Sequence, residues 1–186
     1  NKAGANEVTM PFLIAGDIYE KTGRRDAFGK DMFSLKDRNN RDFVLGPTHE
    51  ELFVMAAKEM VKSYKDMPLN LYQIGNKYRD ETRPRYGLIR TREFTMKDAY
   101  SFDVDSSHTE ITYNKMAKAY NNMFNRMGID YRVVKADTGA MGGKLSEEYQ
   151  AVSEIGEDIL VLCDNCDFAS NIEIAEVKGK TFADEE

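Results

Sequence analysis

Tyr78-Arg79-Asp80-Glu81-Thr82-Arg83-Pro84-Arg85-Tyr86-Gly87-Leu88-Ile89-Arg90-Thr91-Arg92-Glu93-Phe94 joins two strand-like segments through a basic, breaker-rich turn. Leu71 to Glu81 alternates, setting Tyr72, Ile74 and Tyr78 against Gln73, Lys77, Arg79 and Glu81, as a strand with one packed and one polar face does. Thr82 to Leu88, with Arg83, Pro84, Arg85 and Gly87, cannot continue that strand, and a second strand is predicted from about Arg90 to Phe102. The two form a long antiparallel hairpin. Four of its arginines come within reach of one cleft and ask for an anion, because a planar guanidinium fork matches phosphate oxygens and stabilises charge growing on a phosphoryl group. A solvated tip in which Arg and Glu pair with each other is the alternative, and the spacing alone leaves both open.

Toward the N-terminus, Gly46-Pro47 breaks a strand over Asp42 to Leu45, which Asn39-Asn40 joins by a hairpin turn to a strand near Met32 to Lys36. Between Gly16 and Asn40, a short helix and turns precede the strand near Met32 to Lys36. Thr48 and Glu51 have capping-box spacing, and the stripe Leu52, Phe53, Ala56, Ala57, Met60, Val61 and Tyr64 predicts a helix to about Tyr64 with that face buried. Toward the C-terminus, Ser107 and Glu110 give a second capping-box spacing. Tyr113, Met116, Ala117, Tyr120, Met123, Phe124 and Met127 form a core-packing stripe that ends at Gly128. Strands are predicted over Tyr131 to Ala136 and Asp158 to Leu162, with a tight loop over Gly139 to Gly143.

The chain has 186 residues, 41% of them hydrophobic, and a formal charge of -6. That is enough for one domain with a core, and the acidic balance argues against broad non-specific nucleic-acid binding while leaving room for a local basic patch. No apolar run approaches a membrane span, and no signal peptide or initiator methionine appears, so the expectation is a cytoplasmic protein cut from a longer chain with no membrane partner. Cys163 and Cys166 are too few for a disulfide framework and read as a reduced pair at a strand end.

The quoted hairpin resembles motif 2 of class II aminoacyl-tRNA synthetases in its prolyl, bacterial-type form. Gly46-Pro47-Thr48-His49-Glu50-Glu51 is similar to that family's proline-binding Thr-x-Glu loop, and further similarity runs through Met96-Lys97-Asp98-Ala99-Tyr100-Ser101-Phe102 to Asp137-Thr138-Gly139. The resemblance implies an α+β fold, a class II synthetase-like, mostly antiparallel sheet flanked by helices. It also implies activation of L-proline with ATP and Mg2+, transfer to tRNA(Pro), and a homodimer in the full-length enzyme. By the same resemblance Arg79 grips the α-phosphate of ATP and the proline carboxylate, Glu81 lies by the adenine or its water and metal, Arg90 meets the outer phosphates, and Phe94 stacks on adenine. Thr48 and Glu50 hold the secondary ammonium, and Met96 walls the pyrrolidine ring. Arg79, Glu81 and Arg90 are the catalytic candidates. The hydroxyl of Thr48 could equally cap the following helix. No protein metal ligands are expected.

Residues 1–176 then correspond to part of the catalytic domain, with only the tail of motif 1, ending at Pro11, and without motif 3. Residues 177–186 correspond to a junction toward an inserted editing domain, and the fragment alone is expected to be weakly active or inactive. Glu147 stands where some relatives carry a more basic residue. Gly142-Gly143-Lys144 fails as a phosphate loop because Leu145 replaces Ser or Thr, and His49-Glu50 fails as a zinc-protease motif because Phe53 replaces the second histidine. A non-enzymatic synthetase-like module and a class II synthetase for another amino acid such as threonine are the rival readings.

Overall fold

The computed structural model describes residues 2–137, 145–156, 158–166 and 168–175. The chain divides into two compact units, Asn1–Ala119 and Tyr120–Glu186. The tight loop expected over Gly139 to Gly143 and the charged tail lie outside the described residues.

In the first unit, β5 (Leu69–Tyr78) and β6 (Glu93–Phe102) pair antiparallel without a bulge, from Leu69 opposite Phe102 to Tyr78 opposite Glu93. The short β1 (Asn6–Glu7) adds in parallel to β5. A second sheet sets β4 (Asp42–Leu45) between β2 (Leu13–Ala15) and β3 (Ser34–Lys36), all antiparallel. The β3–β4 turn falls at the expected Asn39-Asn40. Asp37 Oδ1 accepts the N–H groups of Asn39 and Arg41 at 2.8 and 2.9 Å, and Asn40 takes the left-handed φ of 62° that asparagine tolerates. Helices α1 (Gly16–Lys21) and α2 (Arg24–Phe28) are the short helical segment expected before β3. One core cluster joins Ile14, Tyr19, Met32 and Val44. Another joins Phe53 and Ala57 of α3 (Glu50–Met60) to Leu69 and Leu71 of β5.

Several expectations are corrected. The packed face of β5 is the one read as polar: Gln73 and Lys77 are 3% and 0% exposed, whereas Ile74 is 62% exposed. Polar groups can occupy a buried face when they satisfy one another, and here Lys77 Nζ donates to Asp98 Oδ1 at 2.8 Å while Gln73 Nε2 donates to Asp98 Oδ2 at 3.1 Å. Strand β6 begins at Glu93 rather than Arg90, because residues 85–90 fold into their own turn. Arg85 and Arg90 exchange backbone hydrogen bonds there, and Tyr86 and Gly87 adopt φ of 57° and 63°.

Helix α3 has His49 at its N-cap position without a side-chain cap bond, so Thr48 does not cap it, and it ends at Met60. Met60 and Tyr64 of the expected buried stripe are 49% and 70% exposed, the backbone having turned extended at Val61. Helix α4 (Ser106–Met127) is capped by Asp105, whose carboxylate accepts the His108 N–H at 2.9 Å, three residues on, as a cap requires. Ser107 instead donates to Asp105. The stripe of α4 is only partly covered, with Tyr113, Met123 and Met127 at 49%, 41% and 60% exposure.

In the second unit, β7 (Tyr131–Lys135) pairs with β8 (Glu147–Ala151) on one side. On the other it pairs in parallel with β10 (Ala169–Asn171), which carries β9 (Leu160–Leu162) at the edge. The predicted strands at Tyr131 and Leu160 are present, slightly shorter. Strands β1, β2, β8 and β10 were too short or too polar to show a period. Tyr120, Phe124, Tyr131 and Tyr149 form a ring cluster, Tyr120 and Phe124 each within 5.6 Å of Tyr149.

Lys77→Met strands the Asp98 carboxylate in the core and is expected to lower stability by about 3–5 kcal/mol, read from urea unfolding by circular dichroism; an unmoved midpoint would refute the pair's structural weight. A second expectation concerns pH. His49 is 1% exposed, its Nε2 lies 3.1 Å from the Pro11 carbonyl, and burial followed by the Lys77 charge holds its pKa below the ordinary 6.5. The unfolded chain therefore binds the proton first, so stability present above about 6.5 declines as the pH falls through and below that value. His49→Gln should flatten this part of a stability profile, and an unchanged slope would assign it to other groups.

Candidate active site

Residues directly opposite in an antiparallel pair share a face. The register therefore puts Leu71, Gln73, Gly75 and Lys77 of β5 on the same face as Tyr100, Asp98, Met96 and Phe94 of β6. Arg79 continues this face just past β5, its N–H donating to Arg92 O at 2.9 Å. Its guanidinium carbon stands 5.4 Å from the Phe94 ring centroid, a cation–π distance, and Nη2 reaches Pro47 O at 3.5 Å. Arg79 Nε is buried without a hydrogen-bond partner. Such a donor costs on the order of 1–3 kcal/mol, and the fork is thus poised for an acceptor that enters from the face.

The loop before α3 meets this face from the side. Thr48 Oγ1 donates to Glu50 Oε2 at 2.5 Å, and Arg24 Nη1 of α2 lies 2.9 Å from the same oxygen. Glu50 and Glu51 also stand in the first turn of α3, where the helix dipole favours a negative charge. Arg24 contacts Glu51 at 3.4 Å, and Thr22 donates to Glu51 at 2.9 Å. Burial works against the charge of Arg24, but its bond to Glu50 and the two carboxylates outweigh it, raising its pKa. From below, Tyr19 donates to Thr48 O at 2.5 Å. Tyr100 accepts the His49 N–H at 3.3 Å, sits 3.4 Å from Thr48 Oγ1 and donates to Asp98 at 2.8 Å. Burial, foremost, pushes the phenols of Tyr19 and Tyr100 far up, so both remain neutral donors.

Of the residues singled out from sequence, the structure gathers Thr48, Glu50, Arg79, Phe94 and Met96 around one region of the sheet. Glu81 is half-buried just beyond the strand, its N–H on Arg79 O at 2.8 Å. Arg90 lies in the exposed turn. Arg92 is half-exposed and held in an ion pair with Asp80 at 3.2 Å, and Arg85 stacks on Tyr86 at 5.4 Å. Among the described residues of the hairpin, Arg79 is thus the arginine drawn onto the buried face, where four had been expected to converge. Arg24, Gln73, Gly75, Lys77, Asp98 and Tyr100 were not anticipated as site residues. For Asp98 and Tyr100 a signal existed, since they continue the even-numbered series of Phe94 and Met96.

This arrangement offers a hydroxyl and a carboxylate for a cation, a guanidinium for an anion and an aromatic ring for a planar group, side by side. Comparison with known proteins places it. Residues 33–186 match the family described as tRNA synthetase class II core domain (G, H, P, S and T). A proline–tRNA ligase of Thermoanaerobacter sp. (strain X514) is 54% identical over 95% of this chain and 31% of its own length; one of Brachyspira hyodysenteriae is 51% identical over 97% and 31%. The chain therefore spans about a third of the length of these relatives. In fold it is similar to Giardia lamblia prolyl-tRNA synthetase, solved in complex with prolyl-adenylate, with a TM-score of 0.74 and 21% identity over 81% of this chain and 32% of that one. A match covering most of the sequence, on a mixed sheet of the expected kind, means that the chain belongs to the class II tRNA synthetase core-domain family.

Proposed function

We propose that this chain is the activating core of a proline–tRNA ligase, joining L-proline to ATP as prolyl-adenylate for transfer to tRNA(Pro). The observation that carries the reading is Arg79, with its buried unpartnered Nε, held over Phe94 and beside the Thr48–Glu50 pair. The kinship to proline–tRNA ligases supports proline as the amino acid.

In this reading the secondary ammonium of proline leaves water for Thr48 and Glu50, a charge that needs acceptors when desolvated. Met96 walls the ring. The face of Phe94 away from Arg79 receives adenine. A proline carboxylate oxygen attacks the α-phosphorus in line and pyrophosphate departs. Arg79 holds the carboxylate and the α-phosphate together and neutralises charge as it grows on the phosphoryl oxygens, so positioning and electrostatics supply the rate without a protein nucleophile. Arg90, on its exposed turn, reaches the outer phosphates. Glu81, a carboxylate just past β5, would lie by the adenine or its bound water and could hold a magnesium ion brought in with ATP. When bound, that ion would neutralise phosphate charge. A homodimer and a cytoplasmic location belong to the same reading of the whole protein; among the described residues no helix is long and apolar enough to cross a membrane.

In the full-length protein, Arg79→Ala is expected to reduce proline-dependent ATP–pyrophosphate exchange about 100-fold or more, and near-normal exchange would count decisively against the reading. Wild-type protein that bound nucleotide but gave no exchange would favour the non-enzymatic module. Arg24 is a positioning residue for Glu50. Arg24→Met should raise the proline KM about tenfold and leave the ATP KM in place, whereas equal effects on both would mean a general structural role.

A further inference from the structure

The β9–β10 hairpin ends in Cys163-Asp164-Asn165-Cys166, which holds both cysteines of the sequence. The Cys163 N–H donates to Phe168 O at 3.0 Å and closes the base of the loop, with Leu162 paired to Ala169 behind it. The backbone then curls back so that the Asn165 N–H donates to Cys163 Sγ at 3.5 Å. Both thiols are exposed. The Cys163 thiol is held below the ordinary thiol range, first by that Asn165 N–H, then by the thiol and the backbone N–H of Cys166. A structural cysteine is buried and inert; an exposed one with donors aimed at its sulfur has thiolate character and is a nucleophile. The loop borders a groove of about 780 Å³ lined in part by Tyr131, Arg132, Leu162 and Phe168.

We propose that Cys163 and Cys166 form a thiol–disulfide exchange site that reacts with a low-molecular-weight disulfide. The Cys163 thiolate attacks one sulfur of the disulfide RSSR. The S–S bond breaks, RS⁻ leaves and takes up the proton that Cys163 gave to solvent, and a Cys163–SR mixed disulfide remains. Cys166 then loses its proton to solvent and attacks Cys163 Sγ, expelling the second RS⁻, which is protonated. Two electrons pass from the protein dithiol to RSSR, yielding a Cys163–Cys166 disulfide and two RSH, and excess RSH reverses the sequence. Two sulfurs also make half of a tetrahedral zinc site. Among the described residues, however, no cluster of three or more His, Cys, Asp or Glu side chains gathers around them, and the donor set fits the disulfide.

The test equilibrates the chain in buffers of increasing oxidised-to-reduced glutathione ratio, quenches with acid, alkylates with N-ethylmaleimide and reads intact and peptide masses. Both thiols should be lost together, with a Cys163–Cys166 crosslink in the peptide map. Cys166→Ser should accumulate a glutathione adduct at Cys163, and Cys163→Ser should form its adduct at least about threefold more slowly at neutral pH, because the Asn165 N–H aimed at Cys163 Sγ favours the thiolate there. Circular dichroism of the two variants establishes that they are folded. Thiols that stay alkylatable in the most oxidising buffer would overturn the proposal. So would adducts forming equally fast at the two positions, or thiols blocked by zinc until a chelator is added.

Discussion

The buried ion pair of Lys77 and Asp98 is the constraint on which the rest of this sheet depends. Two charges removed from water are tolerable only when their remaining hydrogen-bonding capacity is met. The Asp98 carboxylate takes Lys77 on one oxygen and Gln73 and Tyr100 on the other. Each partner carries the constraint outward. Gln73 Oε1 accepts the Met10 N–H at 3.1 Å and ties in the N-terminal segment, and Tyr100 reaches His49 and Thr48 in the loop before α3. Slipping β6 by one residue along β5 would turn Asp98, and with it Phe94, Met96 and Tyr100, to the other face and leave Lys77 buried without its partner. The pair thus fixes the register that places Phe94 under Arg79.

The same pair explains what the sequence hid. Alternation announced that β5 has two faces, but hydrophobicity assigned them backwards, because Ile74 looks like core and Lys77 like surface. Only knowledge of the partner, 21 positions away, makes a buried lysine sensible. The hairpin itself, its turn, the Asn39-Asn40 turn and both long helices were legible, since each rests on local chemistry or on a period sustained over several turns. Caps were less so. Thr48 and Ser107 have the right spacing, yet the Thr48 hydroxyl is taken by Glu50, and Asp105 offers α4 a charged acceptor one residue before the helix starts. For the candidate site, short-range motif residues could be named directly, whereas Arg24 could not, because nothing local to α2 says that it will meet Glu50.

The charges of the hairpin illustrate how burial sorts residues of one type. Arg79, Arg85, Arg90 and Arg92 are equivalent in composition. Arg92 is answered by Asp80 at the surface, and Arg85 and Arg90 share the exposed turn. Arg79 alone of these carries a buried, unanswered donor. An exposed ion pair contributes about 0–1 kcal/mol and is screened by salt; a guanidinium in a partly dry face acts through a lower effective dielectric and is worth more to any anion that reaches it. The net charge of -6 is no obstacle to an anionic ligand, since the local field at Arg79 is set by this placement.

Gly75 completes the physical account of the face. It lies between Gln73 and Lys77 and opposite Met96, in a strand where glycine weakens both backbone and packing. Its φ is not in the left-handed region, and a Cβ there would meet nothing nearer than Gln73 Oε1 at 3.9 Å. Neither conformation nor crowding within the chain therefore requires glycine. The fold accepts a less stable residue near the centre of its longest strand pair, opposite Met96. In the proposed reading, that open stretch of backbone is where a ligand lying across Met96 and Phe94 would pass.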